Sequence, residues 1–125
     1  MPTVLIVDDD AAVRKELHKI FNHRSGFDAC MEAGNGVEAI VKTTQHLPDL
    51  AVLDGSMAEV NGLQLARKLK TIAPELPIFM LTAAYDAAME KEALSCGITA
   101  VFSKLDDLAT LAKCSRGVRN RMVNG

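Results

Sequence analysis

The chain has no excess of either charge, few cysteines and no long apolar run, and each shortage closes off a class of function. Its 14 Lys and Arg stand against 16 Asp and Glu, a formal net charge of -2 over 125 residues. No basic field is therefore present to draw in nucleic acid or an anionic membrane, and direct nucleic-acid binding is not expected. Cys30, Cys96 and Cys114 are odd in number, far apart and free of CxxC spacing. They read as reduced structural thiols, not as a disulfide framework or a zinc site. No apolar stretch approaches the roughly 18 residues of a membrane span, and the first residues enter a strand pattern instead of the basic and apolar regions of a leader. A cytoplasmic protein without a membrane segment is the expectation.

What is present is alternation. The apolar runs "TVLIV" (3–7), "FDACMEA" (27–33), "LAVL" (50–53), "PIFML" (77–81) and "TAVF" (99–102) are separated by helical patterns, which predicts βα units around a parallel sheet. Val13, Leu17, Ile20 and Phe21 predict the buried stripe of a first helix, and Val37, Ile40, Val41 and Thr44 that of a second. Leu65, Leu69 and Ile72 mark a third, Met89 and Ala93 a weaker fourth, and Leu108, Leu111 and Ala112 a fifth. The length suits one domain over residues 1–125. The tail from about residue 116, with Arg116, Arg119 and Arg121, reads either as the end of the last helix or as the start of a linker to an output domain.

In an open parallel sheet functional groups gather beyond the carboxyl ends of the strands. After the first strand come Asp8, Asp9 and Asp10, after the third Asp54, after the fourth Thr82, and after the fifth Ser103 and Lys104. Carboxylates about 4 Å apart repel by about 4 kcal/mol at an effective dielectric of about 20, so such a cluster requires positive charge. Lys104 supplies one, and an all-oxygen donor set suits Mg²⁺ or Mn²⁺ better than zinc. A divalent ion of that kind partners phosphate oxygens, with Thr82 as hydrogen-bond donor and Lys104 as counter-charge. No Ser-His or Cys-His pairing is placed at the strand ends, so the nucleophile of a phosphoryl transfer is expected to be a carboxylate. Asp10, just ahead of the Val13 stripe, reads as a helix cap. His18, His23 and His46 share no face and read as surface groups.

The segments "VLIVDDD", "PDLAVLDGSMAEVNGLQLARKLK", "PIFMLTA" and "GITAVFSK" occur in order across residues 3–115. Together they resemble the receiver domain of bacterial two-component response regulators. The resemblance implies a flavodoxin-like α/β fold, a doubly wound parallel sheet of five strands in the order 2-1-3-4-5 with five helices. It implies Asp9 as a direct ligand of Mg²⁺ or Mn²⁺, Asp8 acting largely through water, Asp54 as ligand and phospho-acceptor, and the backbone carbonyl of Ser56 completing the metal shell. Thr82 matches the hydroxyl that contacts the phosphoryl group, and Lys104 the lysine that pairs with it. A histidine kinase or phosphotransfer protein is the implied donor. The implied output surface, also a candidate homodimer interface, is the fourth helix, fifth strand and fifth helix. The chain would be a signalling switch and not an enzyme, apart from its own phosphorylation and dephosphorylation.

Three positions depart from that family. Ala58 stands in place of a proline after "SM", which removes a φ restraint from the loop following Asp54. Leu105 replaces a proline after Lys104, so a trans bond is expected there. Val101 replaces the switching aromatic, and Phe102 next to it is expected on the opposite face. Small residues at Ser56 and Ala84 predict an unexceptional phosphoryl lifetime. A rival reading takes Asp8 and Asp10 as the DxD of a haloacid-dehalogenase-type phosphatase with Asp8 as nucleophile. It leaves Asp54 idle.

Overall fold

Each apolar run is short and rich in residues that suit a pleated surface, so it satisfies its backbone by lateral pairing. In the computed structural model, which describes residues 2–23, 27–55, 62–104 and 108–124, the runs form β1 (Thr3–Val7), β2 (Ala29–Ala33), β3 (Leu50–Asp54), β4 (Ile78–Thr82) and β5 (Ala100–Ser103). Between and after them lie α1 (Ala11–His23), α2 (Gly36–Gln45), α3 (Gly62–Ile72), α4 (Ala87–Ser95) and α5 (Leu108–Asn124). The strands make one parallel sheet in the order β2-β1-β3-β4-β5, the doubly wound arrangement that the resemblance implies. The order reverses between β1 and β3, and the crevice at their carboxyl ends is where such sheets bind ligands.

Strand alternation divides the core in two. Leu5, Val7, Ala51, Leu53, Ile78, Met80 and Val101 face one side and pack with Ala39 of α2, Leu65 and Leu69 of α3, and Ala93 of α4. Val4, Ile6, Leu50, Val52, Phe79, Leu81 and Phe102 face the other and pack with Leu17, Ile20 and Phe21 of α1 and with Leu111 and Val118 of α5. Helices thus cover both faces, which is why β1, β3 and β4 are buried throughout and read as uninterrupted apolar runs. Val101 and Phe102 fall on opposite faces as expected, Phe102 making an edge-to-face contact with Phe79 at 5.2 Å between ring centroids.

Two expectations require correction. The stripe predicted for α2 is only in part its buried face: Ile40 is half-buried and packs against the core, but Val37 is 66% exposed, Val41 46%, and Thr44 is also exposed. Gly36, Ala39 and Thr43 are buried instead. α2 packs against β1, β2 and α3 together, and small side chains permit that close approach where a row of branched ones would not. In α3, Leu65, Ala66 and Leu69 are buried, but Ile72, at the last turn, is 40% exposed. At the chain's other end α5 continues to Asn124 with Ser115 and Val118 buried.

Two glycines meet backbone demands that a side chain would strain. Gly97, after α4, has φ +93°, a left-handed conformation that costs little only without a Cβ. Gly62 opens α3 so close to the end of β3 that a Cβ would lie 2.8 Å from Met80 Cε, 2.9 Å from the Asp54 carbonyl and 2.9 Å from Gly55 Cα.

Candidate functional site at the carboxyl ends of the strands

The sequence between β1 and α1 turns three acids to three tasks. Asp10 receives the Ala12 amide on Oδ1 at 2.9 Å, and its carbonyl receives the Arg14 amide at 3.1 Å, so it caps α1 as expected. Asp8 is 1% exposed and accepts the Asp10 amide on Oδ1 at 2.9 Å. Its own amide donates to the Ala33 carbonyl of β2 at 3.1 Å, and its carbonyl accepts from Arg14 Nη1 at 2.7 Å. Asp9 is exposed. One carboxylate oxygen each of Asp8, Asp9 and Asp54 lie within 4.8 Å of one another, the spacing of groups that share a cation.

Both β3 and β4 run one residue past their apolar stretches and end on polar groups, Asp54 and Thr82. Asp54 pairs in register with Leu81, and Thr82 with Ser103, so pairing brings the strand ends level. Asp54 is 4% exposed, and Thr82 is buried too. Lys104 begins the segment after β5, its amide donating to the Thr82 carbonyl at 2.9 Å. Its Nζ sits 3.2 Å from Asp8 Oδ2 and 3.2 Å from Asp54 Oδ1. Thr82 Oγ1 accepts the Ala84 amide at 3.1 Å, which leaves the hydroxyl proton available for donation. α4 is capped by Asp86, whose Oδ1 accepts the Met89 amide at 2.7 Å, so Thr82 is not its cap. Tyr85, between the two, is half-exposed.

Electrostatically the site is under-compensated. Burial pushes the Asp8 carboxyl above the usual range, and the neighbouring Asp54 charge adds to this, while the Asp10 amide and Lys104 pull the other way. Burial works against the charge on Lys104, but contact with Asp54 and Asp8 outweighs it and raises the lysine above its ordinary value of 10.5. Asp8 Oδ2, though ion-paired with Lys104, is buried without an aligned hydrogen bond. A buried carboxylate oxygen without one is costly unless something else satisfies it. A hard divalent cation fits these donors: all are oxygens, they converge, and one, though paired with Lys104, has no aligned hydrogen bond.

The structure thus brings together Asp8, Asp9, Asp54, Thr82 and Lys104, five residues singled out from sequence. Ser56, Ala58 and the bond between Lys104 and Leu105 lie outside the described residues. Sequence reasoning missed Arg14 and Glu32. Arg14 Nε lies 3.2 Å from Glu32 Oε1, and His18 Nδ1 lies 3.1 Å from Glu32 Oε2, so His18 has a partner that its place in α1 did not reveal. A signal existed in "ACMEA": an acid inside an apolar strand needs a cation nearby.

Comparison with known proteins agrees with this geometry. The profile of the response regulator receiver domain matches residues 4–115. A putative transcriptional regulator of Pseudomonas aeruginosa is 33% identical over 94% of this chain, which spans 56% of that relative's length. Chemotaxis protein CheY of Bacillus subtilis is 34% identical over 75% of this chain and 78% of its own. Among solved structures, the CheX-CheY-BeF3-Mg²⁺ complex of Borrelia burgdorferi superposes with a TM-score of 0.83 at 27% identity, over 90% of this chain and 84% of that one. With converging acids, a hydroxyl and a lysine on a 2-1-3-4-5 sheet, and a profile match that reaches all five strands, the chain belongs to the response regulator receiver domain family.

Proposed function

We propose that Asp54 is the phospho-acceptor of this receiver and that Asp8, Asp9 and Asp54, with the Ser56 carbonyl, hold Mg²⁺ or Mn²⁺. The observation that carries the reading is Asp8 Oδ2, buried without an aligned hydrogen bond in a group of three carboxylates whose oxygens lie within 4.8 Å. The bound ion supplies charge neutralisation to phosphoryl oxygens. The chain's own residues do the rest. An Asp54 carboxylate oxygen attacks the phosphorus of a phosphohistidine on a histidine kinase or phosphotransfer protein; the P–O bond forms, the P–N bond breaks, and the departing imidazole takes a proton from solvent. Lys104, already 3.2 Å from Asp54, offsets the added charge, and the Thr82 hydroxyl turns its free proton to the phosphoryl group.

Phosphorylation then biases the surface of α4, β5 and α5, the segment that also offers a homodimer interface. With Val101 buried where the family carries an aromatic, the switch rests on Thr82 and the residues that follow it. The protein acts on its own aspartate and does not turn over free phosphomonoesters. Asp10, the second acid of the DxD reading, serves α1 as its cap and is exposed, which speaks against Asp8 as a phosphatase nucleophile. One sheet with helices on both faces supports a single domain over residues 1–125, and α5 carries the tail as helix to Asn124. No described helix is long and apolar enough to cross a membrane.

Incubation with acetyl phosphate and Mg²⁺, followed by borohydride trapping and mass spectrometry, is expected to mark Asp54, and Asp54→Ala to abolish the label. Full labelling of Asp54→Ala, or phosphomonoester turnover lost in Asp8→Ala alone, would overturn the assignment.

A further inference from the structure

β2 contributes no group to the site, yet it frames it. The backbone of Asp8 is held on both sides: its N–H donates to the Ala33 carbonyl of this strand at 3.1 Å, and its C=O accepts Arg14 Nη1 of α1 at 2.7 Å. Arg14 is itself fastened to β2 through Glu32, which directly precedes Ala33, at 3.2 Å. Glu32 is steadied in turn by His18 on its second carboxylate oxygen and by Lys42, whose ammonium donates to the Glu32 carbonyl. The Arg14 side chain is only 21% exposed, and its hydrogen bonds run to the Asp8 carbonyl and to Glu32.

Resting on the metal reading above, we propose that Arg14, clamped by Glu32, is a positioning residue that sets the Asp8–Asp9 turn in its cation-binding arrangement before the cation arrives. A planar guanidinium suits this task because Nε and Nη1 reach two acceptors in fixed directions, one on β1's end and one on β2. An ammonium on a flexible stem holds one or the other. Outer partners that orient ligands in this way commonly govern metal affinity without touching the metal.

Binding of Mn²⁺ to the full chain, counted as loss of the free-ion signal in electron paramagnetic resonance, tests this. Arg14→Met is expected to raise the Mn²⁺ dissociation constant about tenfold. Arg14→Lys should recover little of that, and Glu32→Gln should weaken binding in the same direction but add little in the Arg14→Met background. Exchange of the Asp10 amide, which donates to Asp8 Oδ1, is expected to quicken in Arg14→Met with no metal present. A merely structural role would lower the melting temperature while leaving the affinity of the folded protein unchanged. Affinity within about twofold of the unaltered chain in folded Arg14→Met, or in Glu32→Gln should the first variant not fold, overturns the proposal. Absence of Mn²⁺ binding by the unaltered chain overturns the metal reading and this inference with it, so the two failures are distinct.

Discussion

Asp8 keeps a carboxylate in a place 1% exposed, with Asp54 beside it and one lysine shared between them. Burial lifts its proton affinity in the folded, metal-free protein above the ordinary value of 3.8, while unfolding restores it. The stability tied to the protonated form is therefore complete below 3.8 and is lost as pH rises through the folded value. Asp8→Asn keeps an oxygen for the Asp10 amide and carries no charge, so in chelator it is expected to melt higher than the unaltered chain at pH 7 and about equally near pH 4. Thermal unfolding across that range checks this, and parallel curves would sink it. That Asp8, Asp9, Asp54, Thr82 and Lys104 meet was legible in the sequence because each lies within two residues of the end of an apolar run, and parallel pairing makes run ends coincide. The pairing of Arg14 with Glu32 was only half legible: the acid inside "ACMEA" calls for a cation, but which cation meets it depends on β1 pairing with β2 and on the pitch of α1, neither of which leaves a mark in residue order.

At the scale of the element, α2 shows where hydropathy misleads. Val37 and Val41 look like a core stripe, but the face that meets α3 and the sheet is chosen by size, and Gly36, Ala39 and Thr43 fill it. Ala39→Leu is accordingly expected to destabilise the fold by about 1–3 kcal/mol through overpacking, whereas Val41→Lys should change stability by no more than about 0.5 kcal/mol. Urea unfolding of the two variants decides between the apolar and the small face. The start of α3 presses equally hard on the site. A methyl group at position 62 would stand 2.9 Å from the Asp54 carbonyl and Gly55 Cα, backbone atoms that cannot swing aside. Gly62→Ala is expected to cost about 1–3 kcal/mol in the same assay.

Over the whole molecule, five strand positions and the fold class were legible from alternation alone, while the order of the sheet came only from resemblance, since run order along a chain does not state which strands neighbour. β1, β3 and β4 are buried along their lengths between two apolar layers, and β2 and β5 form the edges. Native-state hydrogen exchange is expected to be slowest in those three central strands and faster in β2 and β5; uniform protection across all five would contradict the layered core. The same architecture has an optical consequence. The chain has no tryptophan and a single tyrosine, and Tyr85 stands half-exposed between Thr82 and the cap of α4. Tyrosine emission from this protein therefore originates at one phenol, on the segment that leads away from the reactive pocket, and its intensity reads the state of that segment with no added dye.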